Sequence, residues 1–269
     1  MTTKLAIALL AVSAWGQPEN SYREVLYRSG GLKIQAYLYQ PARKGPFPAV
    51  VYNHGSRIGN ERRPTPFVPV GRMLAEAGYV VLVPERRGYG TSDGMLFSEE
   101  VGTDPGERFV KRMEDEAGDV LAAVEYLKTL SEVDAHRIGL VGWSLGGIVS
   151  VLAASRSTGI GAVVNQAGAS LTWDASPAIQ KALLEAAAKI RVPLLGMVAE
   201  NDRTTKAVEA VVESAKKGGG AARLVVYPKY TPPENPRQIS PGHLIFAADG
   251  MDIWRGDVLR FLGDALKAR

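Results

Sequence analysis

The chain has 269 residues but no cysteine, and it has only three histidines, His54, His136 and His243. Without cysteine there is no disulfide, no thiol nucleophile and no cysteine-ligated metal. The three histidines do not form a spaced pair of metal ligands, which argues against a zinc site. We therefore expect neither a metal nor a cofactor.

Strong charge of one sign is also missing. Lys and Arg number 32 and Asp and Glu number 28, so the net charge is +4. No basic helix carries interleaved aromatic residues, so a nucleic-acid partner is not expected. The hydrophobic share of 46% and the charged share of 22% are those of an ordinary globular protein. The composition indicates a small-molecule partner at most and no particular oligomeric state.

Residues 1–16 have the pattern of a secretion signal. Lys4 gives a weak positive start, Leu5 to Val12 form a short apolar core, and Val12-Ser13-Ala14 supplies small residues for cleavage. The run is too short to span a bilayer. The alternative is an N-terminal helix that packs on the fold. We expect a secreted or periplasmic protein whose residues 17–269 form a single domain.

Eight apolar segments typical of strands alternate with amphipathic segments typical of helices along the rest of the chain. The predicted strands are 23–27, 33–39, 48–53, 79–84, 138–142, 162–165, 192–198 and 223–227. The first two flank Ser29-Gly30-Gly31 and predict a hairpin. Two segments, Ser98 to Arg112 and the proline-rich Tyr230 to Pro241, are predicted loops. This alternation predicts an α/β fold, a mostly parallel eight-stranded sheet with helices on both faces.

Ser144 lies in the run Gly142-Trp143-Ser144-Leu145-Gly146, directly after the predicted strand 138–142. A helical segment, 147–154, follows. A serine on a sharp turn between a strand and a helix presents its hydroxyl to substrate, and the flanking glycines permit the turn. We therefore predict Ser144 as a nucleophile. The alternative is a glycine-rich turn with an idle serine.

A serine nucleophile needs a histidine base and a third group that orients the base. In α/β-hydrolases the chain order is serine, acid, histidine, and His243 is the only histidine after Ser144. Asp202 follows the predicted strand 192–198 and is the preferred acid, although it could instead cap the next helix. Glu200 is its nearest competitor, and Asp174 is a weaker one.

The oxyanion of a tetrahedral intermediate needs two preorganised donors. We predict the backbone N–H of Leu145 as one of them, because it follows the nucleophile. The other is predicted to be the N–H of Ser56, in the loop after the third strand. Gly55 lets that backbone approach substrate closely. His54 is expected to have a structural role in the same loop.

These residues together resemble the α/β-hydrolase superfamily, and within it the dienelactone hydrolase and prolyl-oligopeptidase-like serine esterases. The resemblance runs from about Tyr22 to Arg269 and is carried by His54-Gly55, Arg87-Gly88-Tyr89-Gly90-Thr91-Ser92, Gly142-Trp143-Ser144-Leu145-Gly146, Asp202 and Pro241-Gly242-His243. It implies an α/β-hydrolase fold. Dienelactone hydrolases proper use a cysteine nucleophile, and this chain has none, which favours ester hydrolysis by serine.

The segment between the sixth strand and the next helix is too short for a large cap domain, so we expect an open site. Trp143, Trp173 and Tyr230 are candidate substrate-binding residues beside Gly55, with core packing as the equal alternative for the aromatic ones. Arg57 is expected to be solvated, or else to meet a substrate carboxylate.

The predicted function is hydrolysis of small to medium carboxylic esters through an acyl-enzyme. The same triad would also serve a peptidase or amidase of the prolyl-oligopeptidase type, or a lactone hydrolase. A binding module that keeps the fold without catalysis is a further alternative.

Overall fold

The computed structural model of the chain describes residues 21–104 and 106–267. The predicted secretion signal, residues 1–16, lies outside the described residues. Within the described part, no helix is both long and apolar enough to cross a bilayer.

The eight strands form one sheet, which confirms the predicted number and placement. They are β1 (Arg23–Ser29), β2 (Leu32–Tyr39), β3 (Phe47–Asn53), β4 (Val80–Glu85), β5 (Val133–Trp143), β6 (Ala162–Gln166), β7 (Leu194–Ala199) and β8 (Ala222–Tyr227). Their spatial order is β1-β2-β4-β3-β5-β6-β7-β8. The pairs β1–β2 and β2–β4 are antiparallel, and the remaining five pairs are parallel. The α/β-hydrolase fold and the mostly parallel sheet are as predicted.

Helices cover both faces of the sheet, because the central strands are apolar on both sides. Those of the described residues are α1 (Val68–Glu76), α2 (Phe97–Glu100), α3 (Glu107–Lys128), α4 (Leu145–Ala154), α5 (Pro177–Ala187), α6 (Lys206–Lys217) and α7 (Met251–Ala265). One apolar core lies between the sheet and α3 to α6, and the other lies under α1 and α7. No large cap interrupts the described chain.

The prediction of a loop from Ser98 to Arg112 is wrong. Helix α2 occupies its start, and α3 already begins at Glu107, inside the predicted loop. Phe97 and Phe109 are buried edge to face, with ring centroids 6.1 Å apart. The charged side chain of Arg112 is also buried, where it pairs with Glu116. Because Arg112 is charged, this part of the sequence resembles an exposed loop although the residue is buried in a helix.

Candidate active site

Ser144 lies on a strained turn between β5 and α4. Its φ is 58° and its ψ is −120°, a conformation that is costly for a residue other than glycine. A Cβ atom on Gly146 would overlap the carbonyl of Asn53, so the turn requires glycine there. The Ser144 N–H donates to the carbonyl of Gln166 at 2.9 Å. The half-buried side chain is thereby held at the carboxyl end of the sheet.

His243 and Asp202 are hydrogen-bonded although they lie 41 positions apart in the chain. The ring Nδ1 of His243 lies 2.9 Å from Oδ2 of Asp202, and both residues are buried. A carboxylate can only accept, so Nδ1 carries the proton in this contact, and in the neutral imidazole Nε2 keeps its lone pair. Nε2 is buried and has no hydrogen-bond partner among residues 21–104 and 106–267. This nitrogen is therefore available to accept a proton.

Close backbone packing holds the turn that carries His243 against the turn that carries Asp202. The Gly242 N–H donates to the Asn201 carbonyl at 3.3 Å, and a Cβ on Gly242 would lie 2.5 Å from the Asp202 nitrogen. The side chain of Phe246 anchors the same turn in the core under α7, close to Trp254. The glycine before His243 is therefore needed for the approach to Asp202.

The competing acids lie elsewhere. Glu200 is exposed at the end of β7, and Asp174 is exposed on a 3-10 turn. Helix α6 takes Thr205 as its N-cap, so Asp202 does not cap it. The other carboxylate oxygen of Asp202 accepts from the Arg203 N–H at 2.7 Å, which fixes the carboxylate plane.

Trp143 links the Ser144 turn to the His243 turn. Its indole N–H donates to the His243 carbonyl at 3.1 Å, and the two rings lie 5.8 Å apart. Trp173 is buried in the core under α3 to α6, and Tyr230 is half-buried with its backbone bound to the side chain of Asn201. Of the three aromatic residues, Trp143 is the one that is adjacent to Ser144 in the sequence and that bonds to the backbone of His243.

The loop after β3, residues 54–67, brings its backbone against Ser144; we name it the β3 loop. A Cβ atom on Gly55 would lie 3.1 Å from the Ser144 Cβ and 3.7 Å from its Oγ. The His54 ring Nδ1 donates to the Gly55 carbonyl at 2.7 Å. In a trans peptide the carbonyl and the following N–H point in opposite directions. The N–H of Ser56 therefore faces away from the His54 ring.

The buried surroundings of the His54 imidazole favour its neutral form. Burial lowers its pKa well below the ordinary value, and the nearby Arg86 and Arg57 guanidinium groups lower this pKa further. The ring stacks on Phe67 with centroids 5.7 Å apart and meets the edge of Tyr89 at 4.6 Å. This packing fits the structural role expected of His54.

The expectation that Arg57 is solvated is wrong. It is buried, and its guanidinium pairs with the buried carboxylate of Glu85 at the end of β4. It also donates to the Arg63 carbonyl at 2.9 Å, and Glu85 accepts from the Thr65 N–H at 2.7 Å. One carboxylate thereby fastens both the beginning and the end of the β3 loop.

A second buried ion pair supports the same loop. Arg86 donates to the His54 carbonyl at 2.9 Å and to Glu116 at 2.6 Å. Glu116 also accepts from Arg112 at 2.7 Å, and all three side chains are fully buried. The sequence alone does not single out these residues, because nothing near a charged residue in the chain indicates a distant ion-pair partner. In the described residues no group of His, Asp and Glu is arranged to hold a metal ion.

Comparison with known proteins agrees with this fold. Residues 34–231 match the model of the Dienelactone hydrolase family. A candidate carboxymethylenebutenolidase of Methylorubrum extorquens is 28% identical over 204 residues, which are 73% of this chain and 66% of that protein. The matched part is thus just under two thirds of the relative's length. His243 lies beyond the residues matched by the family model.

Solved structures resemble the chain at lower identity. The acylaminoacyl peptidase of Pyrococcus horikoshii superposes with a TM-score of 0.68 at 18% identity, over 91% of this chain and 42% of that one. The esterase Pf2001 of Pyrococcus furiosus gives 0.65 at 20% identity, over 91% and 92% of the two chains. These likenesses concern the fold. Since the family model covers well over half of the sequence, the chain belongs to the Dienelactone hydrolase family.

Proposed function

We propose that the protein is a serine hydrolase that cleaves carboxylic esters through an acyl-enzyme intermediate. The observation that carries the proposal is the buried pair of Asp202 and His243, 2.9 Å apart, in which His243 Nε2 has no hydrogen-bond partner within the described part of the chain. Trp143 binds the His243 backbone and immediately precedes Ser144 on its strained turn. A base with a fixed tautomer and a serine on a nucleophile turn are the parts that acyl transfer needs.

In the first half of the reaction, Ser144 Oγ attacks the ester carbonyl carbon while His243 Nε2 takes the hydroxyl proton. The carbonyl electron pair moves to oxygen, and the N–H groups of Leu145 and Ser56 stabilise this oxyanion. The intermediate collapses, the bond to the alcohol breaks, and His243 gives its proton to the leaving alkoxide. Asp202 keeps the imidazole in place and stabilises its positive charge.

In the second half, His243 takes a proton from water, and the hydroxide formed attacks the acyl carbon of the Ser144 ester. A second oxyanion occupies the same two donors. Its collapse releases the carboxylic acid and returns the proton to Ser144 Oγ. No step requires a group that the chain lacks.

Lactones are a second candidate substrate class, and the family match favours them. In a lactone the leaving alcohol stays tethered to the acyl group, so the same residues would open the ring. The absence of cysteine means that serine would replace the family's usual nucleophile. Small to medium acyl groups are favoured in either case, because no cap domain covers the described chain.

A substrate panel tests the reaction class. It contains p-nitrophenyl esters from acetate to dodecanoate, a simple aromatic lactone and a peptide p-nitroanilide. We expect ester turnover with an initial burst of p-nitrophenol that Ser144→Ala abolishes. Turnover of the anilide alone would favour a peptidase, and an inactive wild type would refute the proposal.

A matched pair of substitutions tests the acid. Asp202→Asn leaves an amide that cannot hold the imidazole in the required tautomer, so kcat should fall by about 10³–10⁴. Glu200→Gln makes the same chemical change two residues away, at an exposed position, and should alter kcat less than about two-fold. A larger loss in Glu200→Gln would show that the acid is assigned wrongly.

A further inference from the structure

The proline-rich segment between β8 and the His243 turn is held at both of its ends; we name residues 228–240 the strap. At its start, the side chain of Asn201 both donates to and accepts from the backbone of Tyr230, each at 2.9 Å. Just after its end, the Gly242 N–H donates to the Asn201 carbonyl. Both ends therefore lie beside the turn that follows β7.

Between these two fixed points the strap reaches the β3 loop. The guanidinium Nη1 of Arg237 donates to the carbonyl of Ser56 at 3.1 Å. In the sheet, β5 and β6 separate β3 from β7. Three strand spacings of about 4.8 Å put about 14 Å between the two attachment points. The strap, together with the Arg237 side chain, therefore bridges the end of the sheet where β6 and β5 have their carboxyl ends.

Ser144 directly follows β5, so its turn lies between the two points to which the strap is attached. Internal bonds keep its middle compact. The Asn235 side chain donates to the Ile239 carbonyl at 2.7 Å and accepts from the Ile239 N–H at 3.1 Å. No cap domain is present in the described chain, and the strap is the short segment that borders the site between these two attachments.

The position of the general acid indicates which part of a bound ester lies beside Arg237. The leaving alcohol must face His243 Nε2 to receive its proton. Arg237 binds Ser56, next to the proposed oxyanion donor and on the side of Ser144 away from β7, so the leaving alcohol is not the part of the ester that it faces. We propose that Arg237 closes the strap over the acyl side of the site and sets the upper limit of acyl chain length. This inference rests on the proposed ester hydrolysis.

The test compares Arg237→Ala with Arg255→Ala, which removes an exposed arginine on α7 that pairs with Asp252 at 3.1 Å. The readout is kcat/KM for p-nitrophenyl decanoate divided by kcat/KM for the acetate. Losing one hydrogen bond of about 1 kcal/mol raises the open population about five-fold, so the ratio should rise about five-fold in Arg237→Ala. Arg255→Ala should leave the ratio unchanged.

Asn235→Ala provides an independent variant, because it loosens the strap without touching Ser56, and it should shift the ratio in the same direction. Amide hydrogen exchange supplies a readout that needs no catalysis: residues 54–60 should exchange faster in Arg237→Ala than in Arg255→Ala. An active wild type whose ratio is unchanged in both strap variants overturns the acyl limit alone. Unchanged exchange overturns the strap contact. A wild type that hydrolyses no ester overturns the proposed function and the acyl limit with it.

Discussion

Replacing His54 by phenylalanine removes the N–H that fixes the peptide between Gly55 and Ser56, while an aromatic ring remains. The ring of the new residue can still stack on Phe67 and meet Tyr89, as the imidazole does at 5.7 and 4.6 Å. What disappears is the 2.7 Å hydrogen bond to the Gly55 carbonyl. The substitution therefore tests whether His54 positions the proposed oxyanion donor, the N–H of Ser56.

Two magnitudes follow from this geometry. The Gly55 carbonyl is buried and would lose its partner, which should lower the free energy of unfolding by about 1–3 kcal/mol. The peptide would also be free to turn its N–H away from the oxyanion. Loss of one oxyanion donor lowers kcat by about 10²–10³. KM should change little, because the donor acts on a charge that develops in the transition state.

The assay measures kcat and KM for p-nitrophenyl acetate together with unfolding in urea. His136→Phe is the matched control, since His136 is exposed at the start of β5 and should tolerate the change in both measurements. If His54→Phe is destabilised yet keeps kcat within about three-fold, the reasoning about the peptide is refuted. Equal losses in kcat for both variants would refute it as well.

Three further outcomes follow from buried groups and close backbone contacts. The folded state holds the pKa of His54 below its ordinary value of about 6.5, so the unfolded chain binds one proton more at low pH. The free energy of unfolding should therefore fall as the pH drops below about 6.5, by up to about 1.4 kcal/mol per pH unit. Urea titrations at several pH values should show that His54→Phe lacks this pH dependence. Glu116→Gln leaves the buried guanidinium of Arg86 without its ion-pair partner, although Arg112 keeps Glu100, and should cost about 3–5 kcal/mol by the same method. Glu114→Gln at an exposed site of α3 should cost little. Gly146→Ala places a methyl group against the carbonyl of Asn53 at the end of β3, so it should abolish activity and lower the melting temperature. Gly118→Ala is the control: the space around this position in α3 is open, and the change should raise the free energy of unfolding by about 0.5–1 kcal/mol.

The fold could be predicted because its signals are local. Apolar strands that alternate with helices specify a parallel sheet, and Ser144 between two glycines marks one particular turn of it. The pairing of Asp202 with His243 was also within reach, since the order of the elements brings both to one edge of the sheet. Their catalytic roles stay predictions that the substitutions above would decide.

What could not be predicted depends on contacts between distant parts of the chain. Arg57 and Glu85 have no local pattern that distinguishes a buried pair from two solvated charges. The early start of α3 was hidden for a similar reason, because Arg112 is charged and yet buried. The bond from Arg237 to Ser56 joins residues 181 positions apart, and hydrophobic periodicity says nothing about it.

The ion pairs behind the β3 loop give that loop a different response to heat from the rest of the protein. Hydration of charged groups becomes less favourable on warming, so the cost of keeping Arg57, Glu85, Arg86 and Glu116 away from water decreases, whereas the gain from burying apolar surface levels off. The anchorage of the loop therefore strengthens relative to the apolar core as temperature rises. On cooling, keeping these four side chains away from water becomes more costly, so the anchorage of the segment that carries Ser56 weakens.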